Sequence, residues 1–164
     1  MRISTKGRYA TRAMLDLAMH GQRKPLTLRE VAGRQEVSAQ YLEQIFNRLK
    51  GAGLVNGTRG AQGGFVLARP PSNISVGEIV QAMEGPFAPV HCIDNPGTCQ
   101  RADFCAVREV WTEMGAAMMG VLGSTSLQHL ADRQMRKDQT RPVSVQSGGR
   151  IAGEVVKSGV LDDR

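Results

Sequence analysis

The spacing of apolar residues along the first seventy positions switches from helical to extended and predicts five short elements. Tyr9, Ala10, Ala13, Met14, Leu17 and Ala18 recur every three or four residues behind Ser4, which can cap the helix, and Gly21 ends the run. Arg8 and Arg12 lie one turn apart, off the apolar stripe. Pro25 breaks the chain, and Thr27-Leu28-Arg29-Glu30 is a capping box that opens a second helix to about Gln35, burying Leu28, Val31 and Ala32. A turn through Glu36 and Val37 leads to Ser38, which can cap a third helix bearing Leu42, Ile45, Phe46 and Leu49 on one face and ending at Gly51-Ala52-Gly53. The period then changes. Leu54–Thr58 and Phe65–Ala68 read as strands joined by Arg59-Gly60-Ala61-Gln62-Gly63-Gly64, a glycine-rich hairpin tip with a cation at its root.

Two short helices joined by a tight turn, followed by a β-hairpin, form a winged helix-turn-helix. The outer face of the third helix offers Ala39, Gln40, Glu43, Gln44 and Asn47; Gln and Asn pair with adenine, and Glu accepts from the cytosine amino group. An ordinary helical hairpin with a polar outer face is the bland alternative, and the adjoining wing argues against it. A nucleotide-binding loop is a poor fit to the glycines, because no Gly-Lys-Ser/Thr follows and the segment joins strand to strand.

Pro70-Pro71 closes this unit, and Ser75-Val76-Gly77-Glu78 is a second capping box that starts a helix with Ile79, Val80 and Met83 and stops at Gly85-Pro86. Residues 86–104 read as a loop. A long helix follows, with Val107, Val110, Trp111, Met114, Met118, Val121 and Leu122 at intervals of three to four; a partner helix from a second subunit accounts for this stripe better than an intramolecular core. Thr125 to Arg136 reads as a short amphipathic turn. The pattern divides the chain into a winged domain over 1–71, a loop and dimerisation helix over 72–136, and a polar, Gly/Ser-containing tail over 137–164 expected to be disordered. The fold class is mainly α with a small β-hairpin wing.

Charge sharpens this reading. Of the net +6 over 164 residues, residues 1–60 hold eleven Lys/Arg against four Asp/Glu, while residues 61–110 hold three against five. Positive charge gathered on the predicted winged domain favours a polyanion such as double-stranded DNA, although charge alone would also suit a soluble protein with a basic face. No apolar run approaches the roughly 20 residues needed to span a bilayer, so no membrane role is expected. No nucleophile–base pair, phosphate loop or paired acids suggest catalysis.

The chain's three cysteines fall within fourteen residues as Cys92-x6-Cys99-x5-Cys105. Disulfide pairing would leave one thiol over, and the N-terminus resembles no secretory signal, so a reducing, cytoplasmic setting is expected. Clustered thiolates suit an iron–sulfur cluster, a structural zinc ion or a redox switch. The gaps of six and five are wider than the tight pairs usual for zinc.

Taken together, residues 1 to about 135 resemble the iron–sulfur cluster regulator (IscR-type) family of bacterial winged-helix transcription regulators. The resemblance rests on Met1-Arg2-Ile3-Ser4-Thr5-Lys6-Gly7-Arg8-Tyr9-Ala10, on Ser38-Ala39-Gln40-Tyr41-Leu42-Glu43-Gln44, on Arg59-Gly60-Ala61-Gln62-Gly63-Gly64-Phe65, and on the three cysteines with Trp111 in register. It implies a homodimeric repressor or activator of iron–sulfur and stress genes. It also implies a DNA surface comprising Ser38, Gln40, Tyr41, Glu43, Gln44 and Arg59, with Glu43 tuning sequence preference, and a cluster, [2Fe–2S] rather than [4Fe–4S], on Cys92, Cys99 and Cys105. Two departures stand out. The namesake has five residues between its first two cysteines, and it completes its cluster with a histidine where this chain has Arg108. Some relatives use an acidic ligand from the first helix, a position that is Arg8 here. Glu109, His91 and Asp94 are the local candidates for the fourth ligand, with Glu109 preferred because it lies one turn past Cys105; water or a small thiol is the remaining possibility.

Overall fold

A computed structural model describes residues 3–21, 24–60, 63–86 and 88–140. Helix α1 (Thr5–His20) begins where Ser4 accepts from the Gly7 amide, and Gly21 closes its last turn by donating to the Leu17 carbonyl. Helix α2 (Leu28–Gln35) carries the reciprocal Thr27/Glu30 capping box, and α3 (Ala39–Gly51) starts with the Ser38 hydroxyl accepting from the Tyr41 amide. Each cap satisfies an amide that the first helical turn would otherwise leave unpaired. The turn between α2 and α3 depends on Glu36, the one non-glycine residue with positive φ (55°) among the described residues. Its left-handed conformation ends α2 as a C-terminal glycine would, and nothing in the residue type signals it.

Strands β1 (Val55–Thr58) and β2 (Gly64–Leu67) pair antiparallel, with Val55 opposite Leu67 and Thr58 opposite Gly64. Leu26 adds a short bridge outside β2, exchanging backbone hydrogen bonds of 3.0 and 2.8 Å with Phe65. Gly64 is required there, since a Cβ would stand 2.5 Å from the Leu26 carbonyl oxygen. The Phe65 ring packs 4.6 Å from that of Phe46, seating the hairpin against the buried face of α3.

Helix α4 (Val76–Glu84) opens with the expected Ser75/Glu78 capping box. The segment expected to be a plain loop contains a short helix α5 (His91–Asp94) and two single 3-10 turns, Pro96–Thr98 and Ala102–Phe104. Helix α6 (Ala106–Ser124) is followed by α7 (Leu127–Thr140). The C-terminal end therefore departs from expectation. Where a short turn from Thr125 to Arg136 was expected, a full helix starts at Leu127 and continues through residues 137–140, which the polar pattern placed in the tail. The reason is long-range packing. Leu127 is fully buried, the Leu127 amide donates to the Ile74 carbonyl at 2.9 Å, and α7 lies along α1. The rest of the expected tail, 141–164, lies outside the described residues, as do Ala61 and Gln62 at the hairpin tip.

One apolar core joins the predicted winged unit to helices α4 and α7. Met14, Leu17, Leu42, Ile45, Phe46 and Leu49 pack with Ile74, Ile79, Met83 and Leu127, so the core runs across position 71. Helix α4 lies against α1 and α3 on one side and α6 on the other. Among the described residues, Asp16 is the one buried charged side chain. It accepts three contacts of 2.8 to 3.0 Å from the Arg34 guanidinium, which locks α2 onto α1. Donating these hydrogen bonds to Asp16 raises the Arg34 pKa above its ordinary value.

Candidate functional site

The packing of α3 determines which of its side chains face outward. Leu42, Ile45, Phe46 and Leu49 are buried, which leaves Gln40, Glu43, Gln44 and Asn47 exposed on the opposite face. Ser38 is exposed at the helix start, with its hydroxyl engaged by the Tyr41 amide at 3.2 Å. Tyr41 is half-buried, its ring edge-on to that of Tyr9 at 5.9 Å, while the Arg12 guanidinium lies 5.3 Å from the Tyr9 ring centroid and donates to Gln35 at 2.8 Å. Tyr41 thus joins α3 to α1 as well as bordering the polar face. Lys6, Arg8 and Arg12 are exposed on α1.

Arg59 is exposed at the end of β1, where the chain turns through Gly60 at φ 109°. The Gly63 amide donates to the Gly60 carbonyl at 2.9 Å, and the Thr58 hydroxyl lies 3.0 Å from the Gly64 amide, which donates to it. A Cβ on Gly63 would stand 2.5 Å from the Thr58 carbonyl, so that position of the tip can be built only from a residue without one. The hairpin and the polar face of α3 offer the elements that enter or flank a DNA groove, with cations to meet phosphates.

Cys92 lies in α5, Cys99 follows the first 3-10 turn, and Cys105 caps α6. All three are free thiols of intermediate exposure. Arg108, the position at which the resemblance would place a histidine, turns back across this segment: Nε donates to the Cys92 carbonyl at 3.1 Å and Nη1 to the Ala102 carbonyl at 3.3 Å. A recess of 390 Å³ brings Cys105 together with Asp103, Arg108, Glu109 and Glu113. His91 and Asp94 are both exposed, on the α5 turn that carries Cys92. Among the described residues no three His, Cys, Asp or Glu side chains are grouped closely enough to hold a metal ion. In kind, the three thiols suit an iron–sulfur cluster, whereas Arg108, always protonated, supplies no fourth donor.

Sequence reasoning missed the Arg108 bonds, the Asp16–Arg34 pair and a carboxylate, Glu84, that sits over the start of α1. Glu84 accepts from the Ser4 amide at 3.2 Å and from its hydroxyl at 2.6 Å. All three span elements remote in sequence; the one local trace is Gly7, where a Cβ would stand 2.6 Å from Glu84 Oε1.

The helix-turn-helix with its wing, the polar outer face of α3 and the basic N-terminal third define a DNA-binding transcription regulator. Residues 3–133 match the model of the family described as Rrf2, iron-dependent transcriptional regulator, and the chain belongs to that family. It is 40% identical over 134 residues to the HTH-type transcriptional regulator IscR of Xenorhabdus nematophila, covering 82% of this chain and 81% of that one. Among solved structures it is similar to CymR, the global cysteine regulator of B. subtilis, with a TM-score of 0.68 and 38% identity over 81% of this chain and 98% of that one. It is also similar to T. potens IscR, with a TM-score of 0.66 and 38% identity over 85% and 88%. The chain is a regulator and not an enzyme. Among the described residues no helix is long and apolar enough to cross a membrane.

Proposed function

We propose that this regulator binds specific DNA sites as a cytoplasmic homodimer and that Cys92, Cys99 and Cys105 hold an iron–sulfur cluster, [2Fe–2S] in preference to [4Fe–4S], that sets its grip on DNA. The observation carrying this reading is the placement of three free thiols on the segment between α4, which packs on the DNA-binding helices, and α6, which bears exposed valines. Val107, Val110 and Val121 are 59%, 57% and 67% exposed, and Phe104 beside Cys105 is 77% exposed. A second copy laid against α6 would remove these side chains from water and set two recognition helices about 34–36 Å apart, one turn of DNA.

In this reading Gln40, Glu43 and Gln44 contact base edges, Ser38 and Tyr41 border them, and Arg59 enters the adjoining groove. The cluster, when bound, supplies an iron- and redox-responsive link among three positions of one segment. The residues that would hold it are the three cysteines, drawn closer than they stand here, with Glu109 the fourth candidate because it shares the Cys105 recess. Arg108 would keep the segment folded through the Cys92 and Ala102 carbonyls.

The test is an absorption spectrum of anaerobically purified protein with iron, sulfide and zinc analysis. Visible charge-transfer bands with stoichiometric iron and sulfide are expected. A colourless protein with stoichiometric zinc would replace the cluster by a structural zinc site. A thiol redox switch is the second reading, favoured by the accessible thiols and by the guanidinium at the fourth-ligand position; it predicts a metal-free protein whose DNA affinity responds to oxidants.

A further inference from the structure

Two consecutive residues at the end of α4 reach two different DNA-binding elements. The Met83 carbonyl accepts from Arg48 Nη1 at 3.1 Å, and Arg48 lies in the last turn of α3. The Glu84 carboxylate accepts from the amide and hydroxyl of Ser4, the residue that caps α1. Each contact fits the electrostatics of a helix end. The last carbonyls of α4 lack intrahelical donors and carry partial negative charge, which suits a guanidinium; the first turn of α1 carries partial positive charge, which suits a carboxylate. Immediately beyond, Gly85 adopts φ 84° and ψ −164°, a backbone conformation open to glycine, and Pro86 directs the chain into the cysteine segment. Cys92 follows Glu84 by eight residues, and its carbonyl is tied to the base of α6 by Arg108.

We propose that the last turn of α4 is the joint through which the cysteine segment positions the DNA-binding helices, with Arg48 and Glu84 as its positioning residues. A displacement of residues 88–104 is delivered at Gly85 to a turn that holds the end of α3 and the start of α1 together, so both helices respond to one movement. Gly7 is part of the device. Because a Cβ there would lie 2.6 Å from Glu84 Oε1, glycine is what lets the carboxylate seat on α1. The inference rests on the cysteines being the sensing group, but not on which species they hold.

The test is hydrogen–deuterium exchange on the full chain before and after alkylation of the three thiols with iodoacetamide. In the wild type, alkylation is expected to speed exchange several-fold in the first turn of α1 and in the last turn of α3, including the Ala52 amide bonded to the Arg48 carbonyl. Arg48→Gln should remove the response in α3 and keep it in α1. Gly7→Ala, which unseats the carboxylate while favouring the helix, should do the reverse. Unchanged exchange in both segments of the alkylated wild type would overturn the proposal, as would variants that respond like the wild type. A merely structural role would raise exchange equally with and without alkylation. Metal analysis is independent of this result, so failure of the cluster reading remains distinguishable from failure of the joint.

Discussion

The half-buried Arg108 guanidinium donates to two backbone carbonyls of the cysteine segment, at 3.1 and 3.3 Å, which ties the side chain to the fold of that segment. Arg108→His exchanges those two bonds for a neutral ring nitrogen able to bind iron. The expected outcome is a longer-lived cluster, read as slower loss of visible absorption in air, together with faster exchange of the amides near Cys92. An unchanged lifetime would mean that position 108 does not face the metal. Asp16 bears on stability alone. It is 4% exposed and Arg34 is its main partner, so Asp16→Ala leaves a guanidinium without its carboxylate and unlocks α1 from α2. Because Arg34 is partly open to water, the cost should fall at the lower end for a broken buried pair, about 3 kcal/mol, measured by urea unfolding. On the proposed DNA surface, Arg59→Ala should weaken specific binding by about 1–3 kcal/mol at fixed salt, with circular dichroism unchanged. Unaltered affinity would remove the wing from the recognition mechanism.

At the scale of elements, both the starts and the ends of α1 to α4 were legible, whereas the extent of α7 was not. Ser4, Thr27, Ser38 and Ser75 each announce a helix, and each hydroxyl accepts from an amide three residues on, because a cap is a local contact encoded within four positions. The left-handed conformation of Glu36, inside a turn that was itself expected, and the extent of α7 were not legible. The first needs a left-handed residue that is not glycine, and the second depends on burial of Leu127 against residues far back in the chain. The polar face of α3 was legible from its period, since four apolar residues on one side leave the others outside. The Arg108, Glu84 and Asp16 contacts were not, because they join elements at separations of 16, 80 and 18 residues.

The capping boxes also give a pH dependence. The Glu30 carboxyl is lowered from 4.5 to about 2, chiefly by the hydrogen bond from Lys24 and then by those from the Thr27 backbone and side chain. Glu78 is lowered by the Ser75 amide and then by Arg69. A carboxyl whose folded pKa lies below its unfolded value stabilises the fold above the unfolded pKa, and that contribution is lost as pH falls through the folded one. The melting temperature of Glu30→Gln should therefore lie below that of the wild type at neutral pH. The gap should begin to narrow below 4.5 and close near 2. A gap that is constant with pH would assign the effect to packing.

For the whole molecule, the question is what covers α6. Gly115 is the one buried residue of that helix, while Trp111 is 36% exposed and Val107, Val110 and Val121 are more so. Helix α6 still touches α4 closely, where a Cβ on Gly77 would lie 3.2 Å from the Gly123 amide nitrogen, so one side of the helix is fixed to the core and the other is free. Replacing Trp111, which is exposed, together with Met114 and Met118, which are half-buried, by polar residues should abolish the proposed dimerisation. A single helix-turn-helix reaches one half-site, so the variant should lose the linked half of its binding energy and bind a full operator no better than an isolated half-site. Sedimentation gives the oligomeric state, and titration of full and half operators at matched salt gives the affinity ratio. Monomers with a ratio near one are expected. A persistent dimer would place the subunit contact elsewhere on the molecule, and an unfolded variant would make these side chains part of the intramolecular core.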